Sequence, residues 1–131
     1  MDSNIISKKY SDLIKLSINK KDEYSSAKPF PFILLDDFFN PEYLNRILVD
    51  FPDISKSNYS VEYNTKNDKK IASTSTKIFS ENIYYFFNFL NSLQFLDFLQ
   101  NLTGIKSHLT SDPYFWGSGL HEIKRGGFLK I

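Results

Sequence analysis

The stretch "GSGLHEIKRGGFLKI", residues 117–131, decides how the fold is interpreted. Its short apolar patterns predict two strands, "GLHEIK" and "GFLKI", around a turn at Arg125, Gly126 and Gly127. The second strand reaches the last residue, Ile131, still apolar. We therefore expect that the sequence given ends in a strand in mid-course.

The composition of the chain excludes several classes of function. Its 131 residues fit a single domain, and a net charge of +1 gives no basic field for nucleic acid or an anionic membrane. The sequence has no cysteine, so it offers no disulfide, thiol nucleophile or thiolate metal site. It also has no apolar run long enough to span a bilayer. We expect a cytoplasmic protein that binds neither nucleic acid nor membrane.

Three segments combine capping residues with helical periodicity. The caps Asn40, Ser80 and Ser92 precede predicted helices at 41–51, 81–90 and 93–102. Gly104 is expected to end the third helix in the backbone region that needs a positive φ. In the first helix, one face is apolar and is expected to be buried; it comprises Leu44, Ile47, Leu48 and Phe51.

The remaining segments carry weaker signals. Residues 1–28 form a polar N-terminal segment with only a weak helical stripe, which predicts a short helix followed by a linker. The run Phe32–Leu35 predicts a buried strand. Residues 53–78 predict a long loop with one or two short strands, at the alternating patches 59–63 and 76–79. A further strand is expected at 105–110.

The residues themselves assemble no catalytic constellation. The two histidines, His108 and His121, lie thirteen residues apart on different predicted strands, without metal-type spacing to a second ligand. Gly117 and Gly119 do not precede a helix, so they do not form a phosphate loop. We therefore expect no catalytic residue and no metal ligand within the chain.

Three stretches nevertheless resemble a known family. They are "FPFILLDDFFNPEYLNRILVDFP" (30–52), "FLQNLTGI" (98–105) and "DPYFWGSGLHEIKRGGFLKI" (112–131). Together they are similar to the Fe(II)- and 2-oxoglutarate-dependent oxygenases of the prolyl 4-hydroxylase-like group. In that family a P-hydrophobic-D-D-F strand leads into a capped helix, a helix ends in L-T-G, and a G-G-x-L strand runs directly into His-x-Asp.

The resemblance implies an α+β fold. Residues 29–131 would supply the N-terminal helices and first strands of a double-stranded β-helix, or jelly roll, whose other core strands continue beyond the chain. The His-x-Asp pair is expected after Ile131, because residues i and i+2 of a strand point to the same side and can chelate one iron. The parent protein would use Fe(II) and 2-oxoglutarate to hydroxylate a C–H bond of a small-molecule or peptidyl substrate. The chain as given would bind neither and be inactive.

Some functional positions of the family can be matched to residues of this sequence. Ile123 falls where many members have a tyrosine that contacts 2-oxoglutarate, so that contact lacks its phenol here. His121 is the candidate to face the cosubstrate or substrate instead, from the same strand face. Gly126 and Gly127 match the glycines of the turn before the metal strand. Gly117 and Gly119 match the loop that precedes it, near the substrate mouth.

Two other interpretations remain open at this stage. In the first, the chain is a self-contained α+β module that binds through its aromatic residues without a metal. In the second, it is a non-catalytic, cupin-like sugar-binding domain. The sequence immediately after Ile131 separates all three possibilities. If the strand "GFLKI" is left without its neighbours, self-association through that strand is expected.

Overall fold

A computed structural model describes residues 5–130 and shows an α+β architecture. The helices are α1 (Leu13–Ser26), α2 (Pro41–Val49), α3 (Glu81–Leu90) and α4 (Leu93–Thr103). The strands are β1 (Val61–Asn64), β2 (Asp68–Ser73), β3 (Leu120–Glu122) and β4 (Phe128–Leu129). These strands form one antiparallel sheet.

The three capped helices are confirmed, because each cap makes its expected hydrogen bond. The Asn40 side chain accepts from the second residue of α2, and Ser80 Oγ and Ser92 Oγ accept from the third residues of α3 and α4. These bonds satisfy backbone N–H groups that have no partner inside a helix. Gly104 ends α4 with φ 72°, as a left-handed C-cap requires.

The first core cluster lies between α1 and α4. It is built on the buried side chains of Leu13, Phe98 and Leu102. The weak apolar stripe of the N-terminal segment therefore forms a helix of fourteen residues, longer than the short helix expected. Packing against α4, rather than the amphipathicity of α1 itself, explains this length.

The second core cluster joins the sheet to α3. Its buried side chains are Ile54, Ile83 and Leu120. Helix α2 is attached to α3 by Tyr43, whose hydroxyl donates to the Asn82 carbonyl at 2.9 Å and whose ring is almost fully buried.

The prediction that the apolar face of α2 is buried needs correction. Leu44, Leu48 and Phe51 are exposed, whereas Ile47 is half-buried against the second core cluster. The one fully buried residue of the helix is Tyr43. Tyr43 turns inward because its ring packs beside Phe86 while its hydroxyl reaches a backbone acceptor. Three of the four residues of the apolar stripe are consequently exposed, and only Ile47 reaches the core.

Strand β2 is the centre of the sheet. It pairs with β1 on one side, and with both β3 and β4 on the other. The two strands predicted in "GLHEIK" and "GFLKI", and the turn between them, are confirmed. They do not pair with each other as a hairpin, because they lie end to end along β2. Ile71 is opposite Glu122, whereas Asp68, three residues before Ile71, is opposite Leu129, seven residues after Glu122. The four additional residues are accommodated in a turn between β3 and β4.

Three strand predictions fail for identifiable reasons. Residues 76–79 form a short 3₁₀ turn that Ser75 caps. Residues 105–110 make no strand, and the Leu109 N–H donates instead to the side chain of Gln100 at 3.1 Å. Phe32–Leu35 has no strand partner within residues 5–130. The central strand β2 was missed because its sequence, "DKKIAS", has little apolar alternation.

Within residues 5–130, every helix is too short or too polar to cross a membrane.

Candidate functional site

Hydrogen bonds of Asp112 help to fix the loop before β3. Asp112 Oδ2 accepts a 2.7 Å hydrogen bond from the Gly117 N–H, and the Asp112 N–H donates to Asn91 Oδ1 at 2.7 Å. The hydrogen bond from the Gly117 N–H, helped by those from neighbouring N–H groups of the loop, lowers the pKa of Asp112. The Asp112 carboxylate thus fixes the loop to itself, and the Asp112 backbone N–H fixes it to Asn91 at the end of α3.

Phe115 anchors the same loop from inside. Its backbone is left-handed, with φ 54°, and its side chain is almost fully buried. The ring lies 5.6 Å from that of Phe87 and 6.0 Å from those of Phe79 and Tyr84, measured between centroids. Such an unusual φ persists in a non-glycine residue only where its surroundings hold it, and here the aromatic cluster does so.

This anchor presents two exposed rings, which we call the aromatic pair, Tyr114 and Trp116. They stack at 5.7 Å between centroids with an interplanar angle of 29°, and they are 70% and 83% exposed. The sequence predicted only a turn-rich loop here. The residue order Tyr-Phe-Trp in a short loop was an available signal, because three consecutive large rings in so tight a loop cannot all reach one core.

Two glycines of the site lie where β2 leaves no room for a side chain. A Cβ at Gly119 would lie 2.5 Å from the Ser73 carbonyl oxygen, and one at Gly127 would lie 2.7 Å from the Lys69 carbonyl oxygen. Gly126 has φ 82° and forms the turn between β3 and β4. At Gly117 the nearest atom to a Cβ would be Asp112 Oδ2 at 3.6 Å, an ordinary contact.

The two candidate cofactor residues lie close in sequence but differ in setting. His121 is in β3 opposite Ala72, with an exposed side chain. Because β3 ends at Glu122, the strand pleat that was expected to place Ile123 on the face of His121 does not extend to Ile123. Ile123 begins the turn between β3 and β4 and is also exposed, and its Cγ2 lies only 2.7 Å from the Cβ position of Gly127. Their cofactor role stays a prediction.

A small charged pocket lies on the sheet beside this turn. It measures about 60 Å³ and is lined by Glu62, Lys69, Lys70, Ile71, Glu122, Lys124, Arg125 and Gly127. Ligand pockets typically measure about 300 to 1,000 Å³. This pocket is therefore too small to enclose a cosubstrate of the size of 2-oxoglutarate.

The residues described do not fit an iron site. Among residues 5–130, no group of three or more His, Asp or Glu side chains is placed to hold a metal ion. His108 is exposed in the irregular segment after α4, and His121 is in β3. The ligand set that the resemblance implies thus has no counterpart in this part of the protein.

An apolar groove was also missed at the sequence level. It has a volume of about 430 Å³ and lies between the segment before α2 and the start of that helix. Its lining residues are Ile33, Leu35, Asp37, Phe38, Phe39, Pro41 and Leu44. We call it the α2 groove.

No protein-family model, curated protein or solved structure matches this chain.

Proposed function

We propose that this chain is the N-terminal part of a non-haem Fe(II)- and 2-oxoglutarate-dependent dioxygenase of the prolyl 4-hydroxylase-like type. The complete domain would be a jelly roll that hydroxylates a C–H bond of a small-molecule or peptidyl substrate. The observation that carries the proposal is the fit between the G-S-G-L-H and R-G-G-F-L motif and the backbone of β2.

Several glycines of the motif lie where the backbone of this fold requires a residue without a side chain. Gly119 and Gly127 each pass within contact distance of a β2 carbonyl, where any Cβ would clash. Gly126 supplies the positive φ of the turn between them. Three of the glycines on which the resemblance rests are therefore required by the way β3 and β4 follow β2, so the motif corresponds to a defined backbone arrangement, as the proposal expects.

The direction of β4 suits the proposed iron ligands. Pairing along β2 extends past β4, because the Lys130 N–H donates to the Asn67 carbonyl at 2.8 Å. If the strand continues, residues two apart project to the same face of the sheet. A His-x-Asp pair directly after Ile131 would then present both side chains to one metal ion.

The described residues would contribute scaffold rather than chemistry. The α3 cluster packs against the sheet, and the helix pair α1 and α4 forms the other core cluster. The carboxylate of Asp112 fixes the loop that enters β3. Fe(II), held by ligands outside residues 5–130, would supply the oxidative chemistry.

The test compares two proteins in an assay for succinate formed from 2-oxoglutarate with Fe(II). One is the 131-residue chain, and the other is translated from the same reading frame continued through the following strands. We expect turnover only from the longer protein, and loss of that turnover when its predicted His-x-Asp histidine is replaced by alanine. A folded longer protein without oxoglutarate turnover would overturn the proposal, as would equal turnover by the 131-residue chain.

A second candidate is a self-contained α+β binding module. The aromatic pair favours it, because large exposed rings on a well-anchored loop are typical of recognition surfaces. This alternative predicts that the 131-residue chain is monomeric and unfolds in one cooperative transition. The oxygenase proposal predicts a marginally stable chain that binds hydrophobic dyes.

A further inference from the structure

The aromatic pair lies in a segment that carries one negative charge and no positive charge. From Leu109 to Leu120 the one charged residue is Asp112. It forms no ion pair with any side chain in residues 5–130. Its Oδ2 lies 2.7 Å from the backbone nitrogen of Gly117, the residue directly after Trp116. The exposed rings therefore lie beside a negative charge that the chain itself does not neutralise.

Helix α3, on which this loop is anchored, adds further rings and a second carboxylate. The Tyr84 ring lies edge-on to the buried Phe115 ring and is 45% exposed, and Tyr85 beside it is 53% exposed. The one charged residue of α3 is Glu81, and its hydrogen bond with the Tyr85 hydroxyl raises the pKa of Tyr85. Exposed rings combined with carboxylates attract cations and repel polyanions such as nucleic acid.

Other exposed rings of this protein are already covered by cations of the chain itself. Lys77 Nζ lies 5.0 Å from the centre of the Tyr59 ring, and Lys70 Nζ lies 5.2 Å from that of Tyr63. Within residues 5–130, no lysine or arginine lies in this way over either ring of the aromatic pair. Tryptophan is the side chain whose ring attracts cations most strongly. The aromatic pair is therefore open to a cation from outside the chain.

The form of the surface favours a guanidinium group over an ammonium group. The two rings of the aromatic pair stack on each other, so each leaves one flat outer face open. A planar guanidinium can lie on such a face and also donate N–H bonds to a neighbouring carboxylate, which here is that of Asp112. An ammonium group is a compact, strongly hydrated point charge and has no planar face. Because Phe115 and Asp112 already fix the loop, little ordering is needed on binding.

We propose that the aromatic pair and Asp112 bind an arginine side chain of a partner protein. The guanidinium group would lie over the outer face of Trp116, with the Asp112 carboxylate as its hydrogen-bond acceptor. The exposed rings of Tyr84 and Tyr85 widen this surface, so that it suits a peptide segment containing arginine rather than the free amino acid. Tryptophan, tyrosine and arginine are the residues that most often dominate the binding energy of protein interfaces. The site needs neither iron nor 2-oxoglutarate, so its test is independent of the oxygenase proposal.

The test uses the fluorescence of Trp116, which reports on this site alone because the chain has one tryptophan. The capped peptide Gly-Gly-Arg-Gly-Gly is added to the 131-residue chain at low ionic strength. Two comparison peptides carry, in place of arginine, either citrulline, which has nearly the same shape without the charge, or lysine. We expect a saturable change with the arginine peptide. Its binding should be at least about fivefold tighter than that of the citrulline peptide, since one exposed cation–π contact corresponds to a factor of about two to five and the carboxylate adds to it.

Several results of this titration would overturn the inference. They are the absence of a saturable change with the arginine peptide, and equal binding of the arginine and citrulline peptides. A lysine peptide that binds as tightly as the arginine peptide would overturn the assignment to a guanidinium group. Free arginine that binds as tightly as the arginine peptide would overturn the assignment to a partner protein.

Substitutions locate the binding site. Asp112→Asn removes the charge but keeps an oxygen that can accept from the Gly117 N–H, and it should weaken binding of the arginine peptide by about two- to fivefold. Tyr114→Leu removes an exposed ring of the aromatic pair and should weaken binding by a similar factor. The control is Tyr59→Leu, at a 49% exposed ring that Lys77 already covers, and it should leave binding unchanged. Circular dichroism checks that each variant is folded. Unchanged binding in both Asp112→Asn and Tyr114→Leu would overturn the inference.

Discussion

Replacing Gly119 by alanine is expected to destabilise this fold, whereas the same replacement at Gly117 is not. The two glycines are two residues apart in one loop and belong to the same G-x-G motif. They differ in the space available to a Cβ. At Gly119 that atom would lie 2.5 Å from the Ser73 carbonyl oxygen and 3.1 Å from its carbon, whereas at Gly117 it would meet only Asp112 Oδ2, at 3.6 Å.

The expected magnitudes follow from that difference. Alanine restricts the unfolded chain and so stabilises the folded state by about 0.4 to 1 kcal/mol wherever the native backbone accepts it. Gly117 should show this gain or no change. At Gly119 the backbone of β3 must shift away from β2, and overpacking of this kind costs about 1 to 3 kcal/mol. The two variants should therefore differ by about 1 to 3 kcal/mol in their free energy of unfolding.

Urea unfolding followed by circular dichroism measures this difference. We expect a lower midpoint for Gly119→Ala than for Gly117→Ala, with the same dependence of the free energy of unfolding on urea. Equal midpoints would mean that β3 does not approach β2 as closely as described. The physical reason given for the motif glycine would then fail, together with the support that it lends to the family resemblance.

Three further predictions concern the core, a surface ion pair and the state of association. Phe98→Ala should cost about 3 to 5 kcal/mol of stability in urea unfolding, because the ring is 2% exposed. Leu93→Ala, at a 77% exposed side chain of the same helix, should stay within about 0.5 kcal/mol. The hydrogen bond from the Lys56 ammonium group lowers the pKa of Asp53 from 3.8 to about 2. Its stabilising effect is thus present above pH 3.8 and lost as the pH falls through 2; an NMR titration should show this midpoint, and Lys56→Met should raise it. The 131-residue chain should associate with concentration in sedimentation velocity, whereas a single monomer boundary at all concentrations would favour the self-contained module.

The helices could be predicted because their signals are local. Ser80 and Ser92 bind backbone groups within their own first turn, and Gly104 needs only its own backbone freedom. The orientation of α2 could not be predicted in this way. Its apolar stripe indicated one buried face, but the distant Asn82 carbonyl and the Phe86 ring select Tyr43 for burial.

The strands depend on partners that are remote in sequence. β2 is central because β1, β3 and β4 all pair with it, although its own residues are largely polar. Phe32–Leu35 has the stronger strand pattern, yet it is unpaired within residues 5–130. Alternation of apolar residues indicates which side chains a strand would bury, but it does not indicate which other strand will pair with it.

The candidate site was predictable only in part. The turn at Gly126 and Gly127 was predicted from the sequence. The close approach of Gly119 and Gly127 to β2 was not, because β2 itself was missed. The order Tyr-Phe-Trp indicates that the three rings cannot all be buried, but it does not indicate which of them are exposed. The exposure of Tyr114 and Trp116 follows from the left-handed backbone and burial of Phe115 between them.

The measurement that tests the oxygenase proposal most directly is the nucleotide sequence of the gene after the codon for Ile131. We predict that codons for His-x-Asp follow this codon directly, in frame with the G-G-F-L strand. Further strand-forming sequence with a second histidine should come after them. A stop codon, or a continuation without His-x-Asp, would contradict the proposal and favour the self-contained α+β module.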